Sequence, residues 1–261
     1  GDFALGMMSC GACMFTTQPL AAVKTLSMEG MSLKQISRNA AGDFRYLYRG
    51  LLPNLTSGAL SEGVVFAVQG LATRWFAGAH QDSIYGEIAV ASVAGVAGSP
   101  INASCERVMI QQQIHGGYAH SALSSLASRE GIRRALFKGL MATGMRDAIF
   151  NIGVFPVSNL IERSISQRTE THQAFLSGFL SGAIMGCLST PFDLIKTRIQ
   201  SDREEKIVKI TTTAKEIIRE QNIRGLWRGG AWRAMYIGTM MGLIVVAKER
   251  FQPLLPESCF H

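Results

Sequence analysis

The chain reads as an all-helical protein written as one helix pair three times, six long helices in all. The tripeptides Tyr48-Arg49-Gly50, Phe137-Lys138-Gly139 and Trp227-Arg228-Gly229 recur at near-regular spacing. Each follows a hydrophobic segment closed by a proline, at Pro19, Pro100 or Pro191. A polar connector separates proline from tripeptide, and a second hydrophobic stretch comes after, the layout of two helices joined through a short loop-helix. The chain therefore divides into repeats 1–80, 81–168 and 169–261 of a single domain.

The six hydrophobic segments run, in order, from about 3 to 27, 52 to 75, 86 to 110, 140 to 161, 173 to 198 and 231 to 250. Each is sparsely charged and rich in Gly, Ala, Ser and Met, although no stretch reaches ~18 wholly apolar residues. At ~1.5 Å rise per residue, twenty or more helical residues cross the ~30 Å hydrocarbon core of a bilayer. Small residues let such helices approach closely. The spacing of Gly178, Gly182 and Gly186 predicts that contact for the fifth segment, with Cys10 and Met14, then Ala91 and Gly95, as poorer equivalents in the other repeats.

Charge favours a membrane protein over a soluble bundle with solvated loops. Residues 24–50 and 105–139 each hold five Lys/Arg against two Asp/Glu, and residues 193–229 hold nine against six. Each connector is thus +3, while the whole chain is +7. The basic excess lies entirely on the side that carries the connectors, the asymmetry to which lipid headgroups and topology selection respond. Aromatics are not interleaved with these charges in one patch, so nucleic acid is not an expected partner.

No catalytic or metal chemistry is expected. Cys10, Cys13, Cys105, Cys187 and Cys259 are odd in number and lack framework spacing. Cys10 and Cys13 form C-x-x-C within an apolar helix, where small-residue packing outweighs metal or redox chemistry. The histidines match no triad or H-E-x-x-H pattern, so the chain is not read as an enzyme. The apolar stretch beginning at Phe3 lacks a basic n-region and is read as the first half of repeat one, not as a cleavable signal.

Repeat three reads Pro191-Phe192-Asp193-Leu194-Ile195-Lys196-Thr197-Arg198-Ile199-Gln200, then Gly225-Leu226-Trp227-Arg228-Gly229. This resembles the signature of the mitochondrial carrier family, P-x-[DE]-x-x-[KR]-x-[KR]-x-Q followed by an aromatic-basic-glycine step. Repeat two carries Pro100, Arg107, Glu130-Gly131 and Phe137-Lys138-Gly139; repeat one carries Pro19, Lys24 and Tyr48-Arg49-Gly50. The resemblance implies six transmembrane helices in a threefold pseudosymmetric barrel in the mitochondrial inner membrane, with both termini toward the intermembrane space. It implies three short matrix helices near 32–41, 119–129 and 209–221, and odd helices kinked at Pro19, Pro100 and Pro191. It also implies cardiolipin bound at Arg49 and Gly50, Lys138 and Gly139, and Arg228 and Gly229, where free helix N-terminal amides suit a phosphate. On the residues alone, the glycines also suit a turn and the cations an interfacial anchor. No other cofactor is implied.

Family carriers close each end with a ring of ion pairs. Here the matrix-side acid positions read Ala21, Asn102 and Asp193, and the base positions Lys24, Cys105 and Lys196, so one conventional pair is expected. The downstream basic position reads Leu26, Arg107 and Arg198, and the glutamine position Met28, Met109 and Gln200. The opposite ring, counted from the step glycines, reads Gln69, Gly70 and Thr73; Ser158, Asn159 and Glu162; and Lys248, Glu249 and Gln252. Only Glu249 keeps its type.

Family contact points fall at Ser57, Arg146 and Tyr236, with Asp147 beside Arg146. Intramembrane charges are expensive and face a water-filled interior or one another. Residues at i and i+1 do not face each other on a helix, so an internal pair does not account for both charges. A solute site and a structural polar network both fit. The gate losses point to a degenerate carrier retained as a structural or accessory subunit of an inner-membrane complex. The alternative is an active transporter exchanging a small amino-acid-like or monoanionic metabolite.

Overall fold

The computed structural model describes residues 2–76, 84–153, 171–201 and 209–251. Among them every regular element is helical: α1 (Asp2–Met28), α2 (Leu33–Gly42), a 3₁₀ turn (Phe44–Tyr48), α3 (Leu51–Phe76), α4 (Ile84–His115), α5 (Ala119–Glu130), α6 (Ile132–Phe137), α7 (Leu140–Ile152), α8 (Thr171–Ser201), α9 (Ile210–Gln221), a second 3₁₀ turn (Ile223–Trp227) and α10 (Gly230–Phe251). Contacts run from α1 to α3, α4, α7, α8, α10 and back to α1, so these six helices form a closed ring.

The ring is apolar outside and polar inside. On α8, Leu176, Leu180, Ile184 and Leu188 recur every fourth residue and are exposed, while Ser177, Ser181 and Ser189 on the other face are buried. Water would penalise that arrangement, whereas lipid tolerates it and forces polar groups inward. Four segments, Phe44–Ala72, Tyr85–His115, Phe175–Ser201 and Ile223–Ala247, are long and apolar enough to cross a bilayer.

Pro19, Pro100 and Pro191 all lie inside helices, α1, α4 and α8. Pro100 has no amide to offer the carbonyl of Val96, one turn back. The Ser99 hydroxyl donates to that oxygen instead, at 2.5 Å.

Connector helices α2, α5 and α9 fall where the resemblance places them, and each docks through a buried apolar residue. Ile36 joins Leu26 and Tyr46, and Ile217 joins Met28, Leu194, Ile195 and Ile199. Leu126 of α5 is likewise buried. Helix α2 starts at a capping box in which Ser32 and Gln35 exchange side-chain-to-backbone hydrogen bonds.

The α8–α10 contact brings backbone against backbone. A methyl on Gly178 would lie 2.9 Å from the Gly242 Cα, and one on Gly182 would lie 2.8 Å from the Ile237 carbonyl oxygen. The step glycines serve another purpose. Gly50, Gly139 and Gly229 have φ of 81°, 82° and 75°, a region L side chains avoid, and each immediately precedes a ring helix.

Candidate functional site

At the connector end the ring interior is closed by buried charges. Asp193, fully buried on α8, receives Lys24 of α1 at 2.9 Å, Arg233 of α10 at 2.5 Å, Lys196 at 3.3 Å and Arg146 of α7 at 3.6 Å. Glu106 of α4 takes Lys196 on one oxygen at 2.7 Å and Arg146 on the other at 2.6 Å. These contacts join α1, α4, α7, α8 and α10. Isolated charges of this kind would be costly away from water, but each here has an opposite charge within reach.

This corrects two expectations. The signature positions offer one carboxylate, yet the cluster uses a second, Glu106, one helical turn beyond Asn102 on the same face of α4. The closure spans the first-to-third junction through Lys24–Asp193 and the third-to-second through Lys196–Glu106. Arg146 and Asp147 do pair as neighbours: the guanidinium folds back so that Nε donates to Asp147 Oδ1 at 2.7 Å and a terminal nitrogen contacts the same oxygen. The length of the arginine side chain overcomes the divergence of adjacent positions.

Beside the cluster lies a cavity of about 90 Å³, lined by residues that include Ser57, Glu62, Asn102, Arg146, Asp147 and Tyr236. That is room for several waters or a small polar solute. The structure thus brings Ser57, Arg146, Asp147 and Tyr236 to one space. Ser57 donates to Asn102 at 2.6 Å, and Asn102 donates to Asp147 at 3.0 Å. Lys24 lies over the Tyr236 ring, 5.8 Å from its centroid.

A second tier of contacts closes the end below the charges. Gln200 Nε2 donates to the carbonyls of Ala103 at 3.2 Å and Lys138 at 3.4 Å. Gln111, which no motif singled out, donates to the carbonyls of Gln200 and Ser201, both at 3.0 Å. The equivalents of Gln200 are Met28 and Met109, and all three pack on step glycines of a neighbouring repeat: Gly229 faces Met28, Gly50 faces Met109 and Gly139 faces Gln200. Arg49 reaches Gly116 and covers the Tyr46 ring at 4.9 Å, and Arg228 reaches Gly30. The step arginines therefore also join one repeat to the next.

At the opposite end, a methyl added at Gly70 would meet no atom of the described residues within 4 Å. The side chains of Thr73, Ser158, Asn159, Glu162, Lys248, Glu249 and Gln252 lie outside the described residues. So does Cys10, whereas Cys13 is a buried free thiol. Position-by-position reading missed Glu106, Arg233, Glu62 and Gln111. The available signal was simpler: each is a charged or amide side chain within an apolar segment.

Residues 167–258, the third helix pair, match the family described as Mitochondrial carrier protein. The mitochondrial aspartate-glutamate transporter of Saccharomyces cerevisiae is 25% identical over 287 residues, covering 98% of this chain and 32% of its own length. The third helix pair belongs to the mitochondrial carrier family, and the likeness to a family transporter runs over nearly the whole chain. A further relative, the S-adenosylmethionine mitochondrial carrier protein homolog of Drosophila melanogaster, is 28% identical over 76% of this chain and 74% of its own. The mitochondrial thiamine pyrophosphate carrier 1 of Scheffersomyces stipitis is 25% identical over 67% and 62%. The chain spans about a third of the yeast transporter's length and about three quarters of the fly protein's. It is a mitochondrial membrane protein. These relatives are named as transporters and carriers, which favours the exchange alternative over the accessory subunit.

Proposed function

We propose that the chain is a transporter that exchanges a small, amino-acid-like metabolite across the mitochondrial inner membrane, here closed toward the matrix. The observation that carries this reading is the charge cluster around Asp193 and Glu106, lying against a polar cavity that holds Ser57, Arg146, Asp147 and Tyr236. A purely structural subunit has no need of opposed buried charges that can part and re-form. Alternating access does, because both closed states must lie within a few kcal/mol of one another.

Relatives named as carriers of aspartate and glutamate, S-adenosylmethionine and thiamine pyrophosphate support transport as the activity. Cardiolipin is the lipid proposed for the three steps, its phosphates meeting the free amides after Gly50, Gly139 and Gly229 with Arg49, Lys138 and Arg228 nearby. Both termini are placed toward the intermembrane space, which sets the basic connectors on the matrix side.

The test is exchange of labelled amino acids, carboxylates and nucleotides by the purified chain in cardiolipin-containing liposomes. Exchange of at least one solute, lost in Arg146→Ala, supports the proposal. Absence of exchange across the panel, with stoichiometric copurification in a large membrane complex, favours the accessory subunit.

A further inference from the structure

Three carboxylates line the cavity, Glu62, Glu106 and Asp147. Two of them are occupied. Glu106 uses one oxygen for Arg146 and the other for Lys196, and Asp147 uses one for Arg146 and the other for Asn102. Among the described residues no hydrogen bond or ion pair reaches Glu62, on α3, although its carboxylate opens on the same space as Asp147 and Arg146.

The cations of the site are taken. Arg146 directs Nε and one terminal nitrogen at Asp147 and the other at Glu106, while Lys24 and Arg233 contact Asp193. An arriving anion therefore finds no free cation among these groups. An arriving cation finds Glu62. Lys24, Lys196, Arg146 and Arg233 each contact at least one of Asp193, Glu106 and Asp147, and among the described residues none of them forms an ion pair with Glu62.

We infer that Glu62 anchors a positively charged nitrogen of the transported solute, so that the cavity selects an ammonium-bearing metabolite over a simple monoanion. This rests on the transport reading and narrows its substrate class. A zwitterion held by its ammonium at Glu62 brings its carboxylate toward Arg146, where it competes with Glu106. Because the other Glu106 oxygen holds Lys196, displacing Glu106 loosens the closure, and occupancy of the cavity is thereby linked to opening.

The test uses the detergent-purified full chain with L-aspartate, L-glutamate and L-ornithine against succinate and 2-oxoglutarate, read by thermal unfolding and, in parallel, by liposome exchange. At least one amino compound is expected to stabilise the protein where the deaminated acids do not. Glu62→Gln, a near-isosteric change, should weaken that binding about tenfold or more, with partial recovery in Glu62→Asp. Equal stabilisation by succinate or 2-oxoglutarate, undiminished binding in Glu62→Gln, or no stabilisation by any of the three amino compounds would overturn the anchor. The two readings separate cleanly: binding without exchange defeats transport and leaves the anchor, whereas exchange confined to deaminated acids defeats the anchor and leaves transport.

Discussion

Lys196 on α8 donates to Glu106 on α4 at 2.7 Å, both side chains nearly enclosed by the ring. Neither belongs to the same repeat, so this bond ties the second helix pair to the third where Cys105 offers no charge.

A double-mutant cycle on this pair should therefore show strong coupling. Glu106→Gln and Lys196→Met are each expected to cost about 3 kcal/mol or more, since each strands a buried charge. The double variant should cost less than the summed singles by about 1–3 kcal/mol. Thermal unfolding of the purified protein measures this, and additive losses would show that the two side chains are not energetically joined.

The glycine contact between α8 and α10 gives a second, independent expectation. Gly182→Leu forces a side chain into backbone 2.8 Å away and should abolish recovery of folded protein. Gly70→Ala, whose added methyl meets no atom of the described residues within 4 Å, should be neutral or stabilising by up to ~1 kcal/mol. Size-exclusion recovery and unfolding temperature distinguish the two, and equal tolerance would mean that α8 and α10 do not approach this closely.

Glu29, just beyond α1, predicts a pH effect. Burial pushes its carboxyl above the ordinary 4.5, and the Ser201 hydroxyl, Arg198 and Arg228 only partly oppose the shift. The folded chain thus holds this proton more tightly than the unfolded chain. Its stabilising contribution is full below pH 4.5 and is lost as pH rises through the raised value. Unfolding temperature followed upward from pH 4.5 should show a decline that Glu29→Gln reduces; an unchanged profile would remove Glu29 as its source.

The hairpins were legible because they are periodic. Proline, connector, step glycine and apolar segment repeat in order, and the positive φ of Gly50, Gly139 and Gly229 follows from what only glycine adopts easily. The closure was legible only in part. Lys24, Asp193 and Lys196 sit at signature positions, but Glu106 lies one turn from its expected place and Arg233 comes from an even helix, so a comparison at fixed offsets passes over both. Fixed offsets also hide Arg146–Asp147, because side-chain reach, not position number, makes that pair.

Closure itself is tested most directly by the distance between spin labels on α2 and α9, at Lys34→Cys and Lys215→Cys in an otherwise cysteine-free chain in liposomes. If the charges around Asp193 and Glu106 hold the connector end shut, the unmodified cluster should give a short, narrow distance distribution. Asp193→Asn combined with Glu106→Gln should lengthen and broaden it. An identical distribution in both proteins would contradict the account.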